Sequence, residues 1–191
     1  MLIVAKYGSF PKNNYICIGT FKTIVMNWYI LATISAVIFF GFVIWCVCRF
    51  GLRTCYSAYG PLCRDTYRFN WWSLFTFLAA FTLTPVILKV SAGKVWQFTG
   101  FLCTASIALI ALTPDYDKDK GISAIHSALA MLGGLWSLLF IFINAPTLWW
   151  IPFAYLVVCT ACTFIWGIKN WNFWLEMVAF LATYTAVFLM I

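Results

Sequence analysis

Charge is what this sequence has least of. Asp, Glu, Lys and Arg make up 9% of its 191 residues, where a soluble domain carries about 25%. Histidine occurs once, at position 126, which excludes bis-histidine haem ligation within one chain. GxSxG, HExxH and Walker phosphate loops are absent, so the common signatures of serine hydrolases, zinc proteases and nucleotide-binding enzymes are missing. The apolar runs are continuous rather than alternating in period two, which argues against a transmembrane barrel. No repeat relates the two halves, so an inverted-repeat transporter gains no support. What is abundant is apolar: 64% of residues are hydrophobic, against about 45–50% in soluble domains. A chain of this size has no interior able to hide that much apolar surface. Composition therefore excludes a cytosolic enzyme, a disordered protein, a nucleic-acid-binding module and a secreted disulfide scaffold. It leaves an all-α polytopic membrane protein.

The charge positions delimit the spans. A hydrocarbon core about 30 Å thick needs roughly 20 apolar residues of helix. Uncharged runs lie between Lys22 and Arg49, Arg68 and Lys89, Lys94 and Asp115, and Lys120 and Lys169. The last is long enough for two spans and breaks at Asn144-Ala145-Pro146, a helix-ending signal. A final run follows Trp171, with Glu176 as its one charge. The result is a bundle of six transmembrane helices, at about 27–48, 71–88, 95–113, 122–144, 148–167 and 171–190. Trp28, Trp71, Trp72, Trp96, Trp149, Trp150, Trp171 and Trp174 sit near the expected ends, where amphipathic rings favour the headgroup level. Pro85 and Pro152 are expected to kink the second and fifth helices.

Residues 1–25 differ from the rest. They are mixed in character and precede Met26, which is an alternative start; 26–191 then forms a single transmembrane domain. Cytoplasmic loops gather Lys and Arg. Arg49, Arg53, Arg64, Arg68, Lys118, Lys120 and Lys169 fall on one side; Lys89, Lys94 and the tail lysines Lys6, Lys12 and Lys22 fall on the other. The count favours the arginine loop in the cytoplasm and both termini outside, in a bacterial inner membrane. The formal net charge of +7 follows from these flanks. It suits anionic lipid headgroups, with Arg49, Arg53, Arg64 and Arg68 facing them, and needs no nucleic acid. The oligomeric state has no signature. Of eight cysteines, only Cys46-x-Cys48 and Cys159-x-x-Cys162 are close pairs. The second lies mid-span, where thiols stay protonated and behave as small hydrophobes. Cys55 and Cys63 flank a Gly60-Pro61 turn and would bridge only in an oxidising compartment.

The polar chemistry gathers on one side. His126 lies six residues past Lys120, and Glu176 seven past Lys169, so both sit about 9–10 Å into the same leaflet. An ionisable group inside a span is costly unless paired, so it marks a functional hypothesis. His126 and Glu176 are candidate partners. Asp119, Ser123 and His126 also share a helix face, at spacings of four and three. That face could serve a substrate or proton site, a metal site, or a structural bond between helices. The loop carboxylates Asp115, Asp117 and Asp119 have the spacing of half a calcium loop. The glycine and glutamate that such a loop needs are Lys120 and His126 here. A solvated acidic turn, half-neutralised by its lysines, is the plainer reading. Neither a metal nor a cofactor is expected.

Leu112-Thr113-Pro114-Asp115, followed by a polar turn and then His126-Ser127-Ala128, resembles a pattern in small six-helix bacterial membrane proteins. These belong to a domain-of-unknown-function family grouped with eukaryotic autophagy-modulator and lipid-asymmetry membrane proteins. The similarity covers about 15 residues and the helix count. That family usually has Phe-Pro-Thr-Asp where this chain has Thr113-Pro114-Asp115, and the polar signature of its first helix is absent here. The resemblance implies a six-helix bundle and a structural or catalytic role for Asp115 and His126, with no known reaction. The membrane ceramidase-like hydrolases place several histidines around zinc, and this chain has one.

The expected function is therefore a non-enzymatic integral membrane protein that binds lipid or a small amphiphile, or supports a membrane process. Its site would be His126, Glu176 and Ser123, with the acidic loop nearby. The alternatives are a small transporter or channel with a His126/Glu176 proton or ion site, and a membrane-embedded hydrolase.

Overall fold

The first helix begins where the side chain of Asn27 accepts hydrogen bonds from the backbone N–H groups of Tyr29 and Ile30. Such a cap satisfies donors that a helix start otherwise leaves open. The computed structural model describes residues 27–191, and every regular element in them is helical. There are seven α-helices among the described residues: α1 (Trp28–Phe50), α2 (Tyr59–Tyr67), α3 (Trp71–Val90), α4 (Gln97–Ala111), α5 (Lys120–Asn144), α6 (Trp150–Trp166) and α7 (Trp171–Met190). The proposed tail, residues 1–25, lies outside the described residues.

Five segments are long and apolar enough to cross a membrane: Trp28–Phe50, Trp71–Val90, Lys120–Asn144, Pro146–Trp166 and Ile168–Met190. The span expected at 95–113 is the exception. Its helix, α4, has 15 residues, about 22 Å at 1.5 Å per residue, which is less than a hydrocarbon core of about 30 Å. Trp96 and Leu112 end it as caps. The break expected at Asn144-Ala145-Pro146 falls where α5 ends. Pro152, expected to kink a helix, sits in the first turn of α6, where its missing N–H has no intrahelical partner anyway.

Neighbours in the bundle follow the chain: α1 packs on α3, α3 on α4, and α4 on α5. α7 then touches α5, α3 and α1, so these five helices close a ring, and α6 packs outside it on α7. Membrane helices associate through close contact of small residues and through interhelical hydrogen bonds rather than by hydrophobic exclusion. Both devices are present. A Cβ on Gly100 of α4 would lie 2.3 Å from Cγ2 of Ile87, so only glycine lets α4 approach α3 this closely. The Ser35 hydroxyl of α1 donates to the Ala79 carbonyl of α3 at 2.7 Å. It accepts in turn from the Tyr184 hydroxyl of α7, also at 2.7 Å. The outer surface is apolar, with Phe81, Val157 and Phe164 exposed as a lipid-facing shell requires.

The arginine-rich stretch is more than a loop. Gly51, at φ +73°, ends α1 in a conformation that disfavours other residues. A 3-10 turn (Tyr56–Ala58) and α2 then fold back over the bundle, burying Tyr56, Tyr59 and Cys63. Three connections meet at this end. The Thr54 carbonyl accepts from the N–H of Phe173, and the Ser57 carbonyl accepts from the Tyr116 hydroxyl at 3.0 Å. Arg64 reaches the acidic loop. At the opposite end Lys94 donates to the Asn144 carbonyl. α4 therefore runs from one end of the bundle to the other.

Candidate functional site

Inside the ring lies a cavity of about 560 Å³, within the range of about 300–1,000 Å³ typical of small-molecule sites. All five ring helices and the 3-10 turn line it, and α6 contributes nothing. Along α5 the lining runs from His126 to Ser137, about 16 Å of helix. One end, below the arginine-rich cap, is polar: Ser57, His126, Asn172 and Glu176 meet there. The shaft is apolar and ends near Leu83 and Cys103, with hydroxyls of Thr76, Thr183 and Tyr184 along it. Met131 and Leu135 of α5 and Leu175 of α7 line the cavity while remaining exposed on the outer surface. The cavity thus opens sideways between α5 and α7, toward the apolar surroundings.

Glu176 is positioned by the cap. Its Oε2 accepts from the backbone N–H of Tyr56 at 2.5 Å. Tyr56 is pinned from its other end, where its hydroxyl pairs with Thr76 Oγ1 at 2.8 Å. Burial holds the Tyr56 phenol well above its ordinary value, outweighing the opposite pull of the Thr76 bond. It therefore remains a neutral hydrogen-bonding group.

His126 is held from the acidic loop. Its Nδ1 lies 2.8 Å from Thr113 Oγ1, and the same hydroxyl donates to the Ile110 carbonyl at 2.7 Å. Both bonds are satisfied together only when Nδ1 carries the proton, which leaves Nε2 as an acceptor. The Tyr116 ring stacks on the imidazole at 4.2 Å, and Trp72 lies beyond it at 6.0 Å. Burial raises the Tyr116 phenol to about 12.

Arg64 fixes the loop that carries both Thr113 and Tyr116. Its guanidinium bonds Asp65, Asp115 and Asp117, each at 3.0 Å, and reaches the Pro114 carbonyl at 3.4 Å. Its bond to Asp117 is bidentate, the strongest geometry for such a pair. That bond holds the Asp117 carboxyl below its ordinary value of 3.8. The lysines expected to neutralise the turn contribute one contact, Lys118 to Asp115 at 3.2 Å.

Several expected site residues stand elsewhere. His126 and Glu176 share the cavity but form no hydrogen bond or ion pair with each other; each is held by a loop group instead. Asp119 caps α5, accepting from the N–H groups of Gly121 and Ile122, and so does not converge on His126. Ser123 does not line the cavity, whereas Ser127 does. Arg49 donates to the Tyr67 hydroxyl at 3.2 Å. Arg53 and Arg68 are exposed, Arg68 ending α2 at φ 57°. Among the described residues no three His, Cys, Asp or Glu side chains gather as a metal site, and the seven described cysteines are free. Tyr56, Trp72, Thr113, Tyr116 and Asn172 were not expected in the site. The clue to three of them was present: Tyr56, and Thr113 and Tyr116 beside Pro114 and the loop acids, lie in the connections that had to face His126 and Glu176.

Among the described residues the imidazole hydrogen-bonds Thr113, and its Nε2 faces no protein donor. The ionisable groups of the cavity, His126 and Glu176, lie at one end, and hydroxyls of Thr76, Thr183 and Tyr184 continue along the shaft. Protein-family models, curated proteins and solved structures offer no match to this chain, so the chemistry of the site rests on its own geometry.

Proposed function

We propose that this is a non-enzymatic, multi-pass protein of the bacterial inner membrane that binds a lipid or small amphiphile. The observation that carries this reading is the cavity: polar at one end, apolar along its shaft, and open sideways between α5 and α7. Pockets that bind such molecules are mostly apolar with a few placed polar groups. In the same reading the chain crosses the membrane six times, with α4 as a short crossing walled in by α3 and α5. Both termini lie outside. The exposed Arg49, Arg53 and Arg68 meet anionic headgroups on the cytoplasmic face. Kinship with the six-helix bacterial group that the Thr113–Ser127 stretch resembles belongs to this proposal. A transporter would need polar groups beyond the closed end at Leu83 and Cys103. A hydrolase would need a nucleophile on His126.

Gly134 provides the test. It lines the cavity, and a Cβ built on it meets no atom within 4 Å. Leucine there has room at its Cβ, would occupy cavity space, and would favour the helix by about 0.5–1 kcal/mol. Gly134→Leu is expected to fold at least as stably as the parent while losing co-purified lipid and added amphiphile, as measured by native mass spectrometry. Equal retention of ligand by both proteins would refute the proposal.

A further inference from the structure

The polar end of the cavity holds the Glu176 carboxyl with one backbone donor and no cation lining the space. Glu176 uses Oε2 for the Tyr56 N–H, and its Oε1 has no hydrogen-bond partner among the described residues. No lysine or arginine lines the cavity. The cap guanidinium of Arg64 is committed to three aspartates. A carboxylate in apolar surroundings is costly unless a counter-charge or donor meets it. Aromatic rings line the same cavity. Tyr56 lies 5.7 Å from Trp72 and 6.0 Å from Phe180, ring to ring, and all three rings line the same space. Such faces attract ammonium groups. His126 adds an uncharged acceptor at Nε2, and Asn172 a further polar group. An anionic head would meet Glu176 with no cation to offset it, whereas a protonated amine finds one carboxylate oxygen, an imidazole nitrogen and the aromatic walls.

Resting on the amphiphile-binding reading above, we infer that the ligand of this cavity is an amine-headed amphiphile, its ammonium at Glu176 and its chain along the shaft toward Leu83. The ammonium belongs either to a single-chain amine or to the headgroup of an aminophospholipid; both present the same chemistry to the site.

The experiment uses the full chain in an amphipol and titrates three probes with one tail, decylamine, decanol and decanoate, by calorimetry. Decylamine is expected to bind about tenfold or more tighter than the other two. Glu176→Gln should abolish that preference while decanol still binds, and a cooperative melting transition shows that the variant is folded. Asn172→Leu, as a second variant, should weaken decylamine more than decanol. Displacement of decylamine by short-chain phosphatidylethanolamine but not phosphatidylglycerol supports the inference and assigns the amine to a lipid headgroup. Resistance to both lipids supports it and assigns a single-chain amine. Equal binding of all three probes, or a preference that survives Glu176→Gln, overturns the amine inference and leaves amphiphile binding standing. Failure of every probe to bind overturns both.

Discussion

Arg64→Ala should loosen the lid over the cavity's polar end without disturbing the membrane helices. Arg64 has 19% of its side chain exposed, and its partners Asp117 and Asp115 have 32% and 50%. Hydrogen bonds to charged groups contribute about 1.5–3 kcal/mol when shielded, and exposed pairs about 0–1. The exposure of the two aspartates places the expected loss between these, at about 1–2 kcal/mol. The pH dependence gives a sharper signature. Arg64 depresses the Asp117 carboxyl below its ordinary value of 3.8. The stabilisation is therefore fully present above that ordinary value and is lost as pH falls through the lower folded value. Parent and variant should differ in thermal stability at pH 7, and the difference should shrink as pH falls toward about 2. Hydrogen exchange should quicken in residues 112–119, because Tyr116 and Thr113 lose the anchor that holds them at His126. An unchanged melting temperature at pH 7, or a gap that stays constant with pH, would refute the reasoning.

Three further outcomes are expected. Asp119→Ala removes the cap of α5 and should cost about 1 kcal/mol of stability in denaturant unfolding. Gly100→Ala drives a methyl against Ile87 and Phe140; an overpacking cost of about 1–3 kcal/mol should appear as a lowered melting temperature. In double-mutant cycles His126→Leu should couple to Thr113→Val by more than about 0.5 kcal/mol. With Glu176→Leu it should add within that margin.

The five segments long enough to cross were legible because charge is scarce and most charged residues lie between them. The α5 break at Asn144-Ala145-Pro146 was legible for the same local reason: Asn and Pro disfavour helix continuation. The length of α4 was not, because Val95 and Leu112 are apolar and give no sign that the helix has ended. The common level of His126 and Glu176 followed from counting residues along a helix, and it placed both in one cavity. Their actual partners are a backbone N–H of Tyr56 and a hydroxyl of Thr113. Both come from connections, whose fold depends on tertiary contacts that periodicity does not encode. Asp119 caps α5, a role its place directly before an apolar helix favours. The four arginines are equivalent in a charge count. Only the return of α2 over the bundle distinguishes Arg64, which clamps a loop, from Arg53, which faces outward.

The closing position of α7 in the ring bears on how the hollow acquires its contents. α3, α4 and α5 each dock on a helix that precedes it in the chain, α3 on α1, α4 on α3 and α5 on α4, forming with α1 a curved palisade with one side missing. α7 supplies the missing side and is synthesised after the other four. In the lipid-binding proposal, the future cavity is until then a trough facing the bilayer, and the last docking step encloses acyl chains rather than water. On that proposal the first occupant is inherited from the membrane during assembly, and a later ligand enters by exchange through the seam beside Met131 and Leu175.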